Sequence, residues 1–287
     1  MRYSYFPGCS LKGTGKAYEE SMLPVFKALG IEVNELKDWN CCGATAYMAV
    51  DESAALRLSA RNLAIAEQAK DEVLAPCSAC YLVLRKTQKY IQDYPKVRAD
   101  VDAALTNAGL QYHGKVEVKH PLDILVNKVG LDAIKKRVAK PLKGLKVATY
   151  YGCQIVRPYS TFDNQARPVT MDKLLEALGA TVVHYPLKTR CCGGSLTGTL
   201  SEVGLRLVYI LLKEARKNGA DVISTLCPLC QFNLDAFQDQ VKDKYGDVTT
   251  PVVYFTQLMG LAFGLDPKEL GLKRNIVPAE PALAGKV

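Results

Sequence analysis

Cysteines are the residues in this chain with the most chemistry to offer. There are ten, at Cys9, Cys41, Cys42, Cys77, Cys80, Cys153, Cys191, Cys192, Cys227 and Cys230. They form one pattern written twice: a lone cysteine, an adjacent pair followed by glycine, then C-x-x-C. In each copy 34 residues separate the pair from the C-x-x-C, and only the first gap differs, 31 residues against 37. Adjacent cysteines rarely bridge each other, because disulfide geometry strains the peptide between them. Several sulfurs at one point instead suit a metal, and a helix N-terminus behind Cys77 or Cys227 would favour the thiolate that metals bind. Gly43 and Gly193 leave room for a close backbone approach or a positive φ. A structural zinc takes four ligands, so a fifth cysteine in both copies is one too many for a simple tetrahedral site. An iron–sulfur cluster takes extra thiolates more naturally, although the close ferredoxin-type spacing is absent. Spacing alone leaves several metals open, zinc in one half among them.

The elements that must position these sulfurs repeat as well. "YFPGC" answers "YYGC", Ala28-Leu29-Gly30 answers Ala177-Leu178-Gly179, and Glu52 and Asp71 answer Glu202 and Asp221, which indicates internal duplication. "RYSYF" and "KVATYY" read as strands ending at Gly8 and Gly152 just before a cysteine. Helices are expected over 17–29 and 169–178, each closed by glycine. "IEVNEL" and "ATVVHY" read as strands, placing His184 in one. The segments after the pairs carry helical periodicity, with Asp51 and Ser201 as N-caps. "EVLA" and "DVISTL" are strand-like, and each delivers a C-x-x-C followed by another helix. Alternation of this kind predicts an α/β fold of two duplicated Rossmann-like halves, with parallel sheets flanked by helices and sites at the carboxyl ends of strands. The expected halves are 1–143, the first repeat plus a linker from about 95 holding a helix or two, and 144–287, the second repeat plus a tail.

Composition is that of a soluble globular protein: 287 residues, 48% hydrophobic and 23% charged. No run of 18 apolar residues suggests a transmembrane segment, and "MRYSYFPGCS" lacks the pattern of a secretory signal. The expectation is a cytoplasmic protein, where thiols stay reduced and cysteine clusters are metal-binding or catalytic. The net charge of +8 comes from basic residues that read as scattered. It suits an acidic partner or an anionic small molecule, and not nucleic acid, which wants a basic face with interleaved aromatics. His113, His120 and His184 read as structural, Trp39 as core or shielding. Arg157, Lys188 and Arg190 flank the second motif and read as solvated surface able to meet an anionic substrate.

Through "FPGC", "DWNCCG", "YYGCQIVRP", "RCCGG" and "CPLCQFNLD", from Cys9 to Asn233, the chain resembles the cysteine-rich CCG domain of the B-type subunit of heterodisulfide reductase. The resemblance implies two non-cubane [4Fe-4S] clusters with five cysteine ligands each: Cys9, Cys41, Cys42, Cys77 and Cys80 for one, Cys153, Cys191, Cys192, Cys227 and Cys230 for the other. It implies reduction, or reversible formation, of a disulfide or thiol substrate with one electron from each cluster, and gives the pairs Cys41, Cys42, Cys191 and Cys192 the catalytic positions. The chain has neither a GxGxxG fingerprint nor a ferredoxin-type cysteine run, so a ferredoxin-like iron–sulfur subunit and a flavin subunit are the implied partners. Gln154 stands where many relatives have histidine, so the proton donor is not carried over. Two alternatives stay open: a sulfur-oxidising paralogue acting on a carrier-bound thiol or persulfide, and an electron-transfer or anchoring subunit of a succinate or fumarate:quinone reductase.

Overall fold

The computed structural model of the chain describes residues 1–44, 46–159 and 161–287. The first repeat runs β1 (Arg2–Tyr5), a short α1 (Gly8–Leu11), α2 (Lys16–Ala28), β2 (Glu32–Glu35), α3 (Ala46–Val50), α4 (Glu52–Ala69), β3 (Glu72–Leu74), α5 (Ser78–Asp93), α6 (Pro95–Asn107) and β4 (Val118–Lys119). A one-turn α7 (Pro121–Asp123), a π-helical stretch Ile124–Val129 and α8 (Leu131–Arg137) follow. The second repeat runs β5 (Lys146–Tyr150), α9 (Thr170–Ala177), β6 (Thr181–Val182), α10 (Ser201–Lys217), β7 (Val222–Thr225), α11 (Pro228–Ala236), α12 (Gln238–Tyr245), β8 (Val252–Tyr254), α13 (Phe255–Ala262) and α14 (Glu280–Leu283).

Two four-stranded, all-parallel sheets result, ordered β2-β1-β3-β4 and β6-β5-β7-β8. Strand order reverses between β1 and β3, and again between β5 and β7. In open parallel sheets a crevice opens outside the carboxyl ends of the strands at such a switch point. The central strands are buried and apolar, as sheets covered on both faces require: Val73 and Leu74 in β3, Val222 and Ile223 in β7. The α/β fold with parallel sheets is therefore as expected. The fourth strands, β4 and β8, lie in the segments read only as linker and tail.

The compact units do not follow the repeat boundary expected at 143. One unit comprises Met1–Cys9 and Gly30–Pro121, the other Ser10–Leu29 and Leu122–Val287, so α2 from the first repeat belongs with the second unit. Its buried face explains why. Within that unit the hydroxyls of Ser21 and Thr256 lie 2.6 Å apart. Tyr18 stacks on Tyr254 with ring centroids 4.6 Å apart and meets Phe255 edge-on at 5.9 Å. Arg274 donates two charge-assisted bonds of 2.6 Å to the Glu20 carboxylate. Aromatic burial of this kind outweighs sequence proximity. In the same unit α9, from the second repeat, packs on α8, which closes the first.

Two local expectations need correction. Asp51 does cap α4, accepting from Ala54 N at 2.9 Å, but Ser201 is the first residue of α10, Leu200 sits at the cap, and no side chain satisfies it. The cause is upstream, where successive turns from Gly193 to Leu200 carry the chain straight into the helix. His184 is exposed and outside any strand, because the edge strand β6 ends at Val182. Among the described residues no helix is long and apolar enough to cross a membrane.

Candidate metal centres

Each strand end delivers its cysteine as the alternation predicts. Cys9 follows β1 and Cys153 follows β5. Cys77 and Cys227 are the N-cap residues of α5 and α11, so Cys80 and Cys230 lie in the first turns of those helices. The ten thiols are all free. In the first site the sulfurs of Cys42 and Cys80 are 3.2 Å apart, those of Cys41 and Cys9 3.9 Å apart, and Cys77 and Cys41 bond into the same group. In the second site Cys192 and Cys230 are 3.6 Å apart, Cys153 bonds Cys191, and Cys227 bonds Cys230. Thus the structure gathers five thiols at each of two sites. They meet in pairs; among the described residues no three His, Cys, Asp or Glu side chains are arranged to hold a single metal ion.

The sites are graded from inside to outside: Cys42, Cys77, Cys80, Cys192, Cys227 and Cys230 are buried, Cys153 is half-buried, and Cys9, Cys41 and Cys191 are exposed. As free thiols they share protons unevenly. In the first site bonds from Cys41 and Cys80 push the Cys42 thiol down, against its burial, while both partners are pushed up. In the second, the bond from Cys153, with Gly193 N–H and the Arg157 guanidinium, holds Cys191 down at about 6 although burial opposes it. Cys153 is pushed up by the same bond and by burial.

Backbone shape makes this convergence possible. Gly8 and Gly152 have φ +64° and +69°, and a Cβ there would lie 2.8 Å from Cys80 Sγ and 3.0 Å from Cys230 Sγ, too close for any other residue. Gly43 and Gly193 do have positive φ, as anticipated. The space they spare, however, lies toward α4 at Ala55 and α10 at Leu207.

Side chains that the sequence did not single out hold the cysteine pairs. In the second site buried Asn233, on α11, donates from Nδ2 to the Cys192 carbonyl at 2.8 Å and accepts from Thr197 Oγ1 at 2.7 Å. The same Thr197 hydroxyl hydrogen is shared with the Gly193 carbonyl, 3.0 Å away. Tyr150 donates its hydroxyl to the Arg190 carbonyl, and its phenol is pushed well up by burial and the neighbouring Cys230, Cys192 and Cys153, which keeps it a donor. In the first site the clamp comes from a different helix: Asn62, on α4, accepts from Asn40 N at 2.9 Å and donates to the Asn40 carbonyl at 2.9 Å. Asn40 Nδ2 then donates to the Cys41 carbonyl at 2.8 Å. The only available signal was an asparagine in each of two helices flanking the cysteines, which has no distinctive spacing.

The remaining flagged residues fall into place around these sites. His120 is fully buried, bonds the Pro76 carbonyl at 2.9 Å and meets Tyr81 edge-on, supporting the loop into Cys77. His113 bonds Glu67. Trp39 is half-buried, donates to Glu35 and lies edge-on to Phe6. Arg157 donates to the Thr189 carbonyl, and Lys188 pairs with Asp172, while Arg190 is exposed and Gln154 half-buried.

Two parallel sheets with a five-thiol cluster at the switch point of each define a duplicated cysteine-rich domain. The cysteine-rich CCG domain matches the chain twice, over residues 3–85 and 147–235. The chain is 30% identical over 282 residues, 96% of its own length and 94% of the relative's, to the B-type subunit of the ferredoxin:CoB-CoM heterodisulfide reductase of Methanosarcina mazei. The chain therefore belongs to the cysteine-rich CCG domain family that includes the B-type subunits of heterodisulfide reductase. It is also 35% identical over 280 residues, 96% of this chain and 97% of the relative, to the 8-methylmenaquinol:fumarate reductase membrane anchor subunit of Wolinella succinogenes. Among solved structures a hypothetical protein from Helicobacter pylori superposes with a TM-score of 0.77 at 14% identity, over 96% of this chain and 52% of that one. This likeness concerns the fold alone, and the chain spans about half of that molecule.

Proposed function

We propose that the chain is the disulfide-handling iron–sulfur subunit of a heterodisulfide reductase-like complex, with one non-cubane [4Fe-4S] cluster at each cysteine site. The observation that carries this reading is the convergence, twice, of five thiols at a sheet's switch point. The donor set fits such a group: it is all sulfur, it is arranged in pairs where a lone ion wants a tetrahedron, and Gly8 and Gly152 clear the backbone from the innermost sulfurs. Cys9, Cys41, Cys42, Cys77 and Cys80 hold one cluster, and Cys153, Cys191, Cys192, Cys227 and Cys230 the other. When bound, each supplies one-electron chemistry, so two together match the two electrons of a disulfide.

The chain's own residues do the rest. Buried Cys42, Cys80, Cys192 and Cys230 anchor the inner side away from water, and exposed Cys41 and Cys191 mark the side an external sulfur can reach. In this sense the pairs Cys41-Cys42 and Cys191-Cys192 are the catalytic positions. Asn62, Asn233, Thr197 and Tyr150 fix the pairs, as sites that must not reorganise require. A ferredoxin-like subunit fed by a flavin subunit is the proposed electron source, in the cytoplasm. The 35% identical Wolinella relative supports a second reading, an electron-transfer or anchoring subunit of a quinol:fumarate reductase.

Anaerobically prepared protein is expected to carry about eight irons and, once chemically reduced, to release free thiol from a small disulfide such as cystine. Stoichiometric zinc at both sites overturns the cluster reading. Full iron without thiol release leaves the electron-transfer reading.

A further inference from the structure

The two C-x-x-C loops have the same length but different donors inside them. In the first, "CSAC", Ser78 opens α5, is 1% exposed, and its hydroxyl has no hydrogen-bond partner. In the second, "CPLC", the same position is Pro228, which opens α11 and is also buried. Proline has neither a hydroxyl nor a backbone N–H. Other buried hydroxyls without a partner, those of Ser59, Thr87, Thr149, Ser224 and Thr225, lie on strands or further along helices, and none falls between two cysteines.

An orphaned hydroxyl in the interior costs free energy unless something accepts from it. The chain keeps one within a turn whose two cysteines, Cys77 and Cys80, already bond to one another. An acceptor rich in negative charge among those sulfurs would satisfy it. The N–H of Ser78, at the first position of a helix, has no partner within the helix and points the same way as the helix dipole. At the second site Pro228 supplies neither donor. Gly15 packs close to its ring, and a Cβ there would come within 2.6 Å of Pro228 Cβ.

We propose that Ser78 raises the reduction potential of the group bound at the first site, and that Pro228 withholds the same help from the second, so that two sites with matching cysteines are electronically unequal. Reduction adds negative charge to the sulfurs, so a hydrogen-bond donor stabilises the reduced form more than the oxidised one. A cation acts in the same sense, and the second site has one in Arg157, but its guanidinium is exposed and screened by solvent. The Ser78 hydroxyl is buried, where a hydrogen bond is electrostatically stronger. Unequal potentials give the pair an order of filling, with the first site strengthened as the acceptor.

This inference rests on the iron–sulfur reading of both sites. The test is a redox titration of the full-length, anaerobically prepared chain followed by electron paramagnetic resonance, with iron and zinc counted on the same samples. Ser78→Ala is expected to lower the potential of one signal by an amount corresponding to roughly a tenfold change in the reduction equilibrium, about 59 mV for one electron, leaving the other signal in place. Ser78→Thr, which keeps the hydroxyl, restores it. Pro228→Ala, which returns the N–H, raises the potential of the other signal. Full iron content with both potentials unchanged in Ser78→Ala overturns the inference, as does an equal drop in Ser78→Thr, which would make the effect one of packing. Protein without iron, or with zinc, overturns the cluster reading instead and is told apart by the metal count.

Discussion

Removing the Asn233 amide tests whether the cysteine pair is held in place or merely falls there. Asn233 is 2% exposed, and its side chain makes two bonds, to the Cys192 carbonyl at 2.8 Å and from Thr197 at 2.7 Å. In Asn233→Ala the Thr197 hydroxyl keeps its bond to the Gly193 carbonyl. The Cys192 carbonyl loses the donor from Asn233 and is left facing a small void. A net bond is worth about 1 kcal/mol and an orphaned buried carbonyl costs about 1–3 kcal/mol, so a loss of about 2–4 kcal/mol is expected. Urea unfolding measures that loss. Iron counted after anaerobic reconstitution measures the local effect: the second site should fail and the first should load, leaving about half the iron of the parent chain. Asn62→Ala should give the mirror result, because its bonds to Asn40 serve the first pair only. Stability within about 0.5 kcal/mol of the parent and full iron in Asn233→Ala would refute the clamp.

Gly8→Ala should abolish loading of the first site, since the new methyl would sit 2.8 Å from Cys80 Sγ on a residue at φ +64°; Gly114→Ala, also at positive φ but with open space around it, should cost only stability. A fragment of residues 144–287 should fail to fold cooperatively by circular dichroism and urea titration, because it lacks the Tyr18 and Ser21 face that packs on Tyr254, Phe255 and Thr256. Adding residues 10–29 as a separate peptide should raise its stability. Burial pushes the Glu67 carboxyl up, but the N–H groups of Lys115 and His113 and the His113 ring outweigh it and hold the carboxyl below its ordinary range. The folded value being depressed, this stabilisation is complete above the unfolded value of about 4.3 and is lost as pH falls through the folded one. Glu67→Gln should therefore cost about 1–2 kcal/mol at neutral pH and flatten the loss of stability in acid, read by urea titration at several pH values.

The sequence made the two sets of gathered cysteines legible because their placement is constrained along the chain. A strand end, a turn and a helix start follow one another in the same order in both copies, with the 34-residue step from the pair to the C-x-x-C unchanged, so Cys9, Cys41, Cys42, Cys77 and Cys80 recur as Cys153, Cys191, Cys192, Cys227 and Cys230. Parallel sheets followed from the alternation of elements for the same reason. What stayed hidden depended on contacts made late in the chain. β4 and β8 are two and three residues long, shorter than any periodicity can declare, and become strands only because β3 and β7 offer them an edge. The home of α2 was hidden because amphipathicity says that a helix buries a face without saying against what. Ser201 looked like a cap because serine precedes a helical pattern, but the turns upstream had already set where the helix begins.

Duplication also separates what the two sites must share from what they need not. The same five sulfurs recur in the same order in both copies, as the group they are proposed to hold requires, and only the loop before the pair differs in length. The clamps are under a looser constraint: any buried donor that reaches the carbonyls around the pair will serve. They have accordingly diverged, coming from Asn62 on the helix before the C-x-x-C in one copy and Asn233 on the helix after it in the other. The same latitude extends to the position after Cys77 and Cys227, where one copy has a hydroxyl and the other a ring. Matching cysteines in unequal settings would suit a pair of sites proposed to handle two electrons in sequence, because identical surroundings would leave neither site preferred for the first.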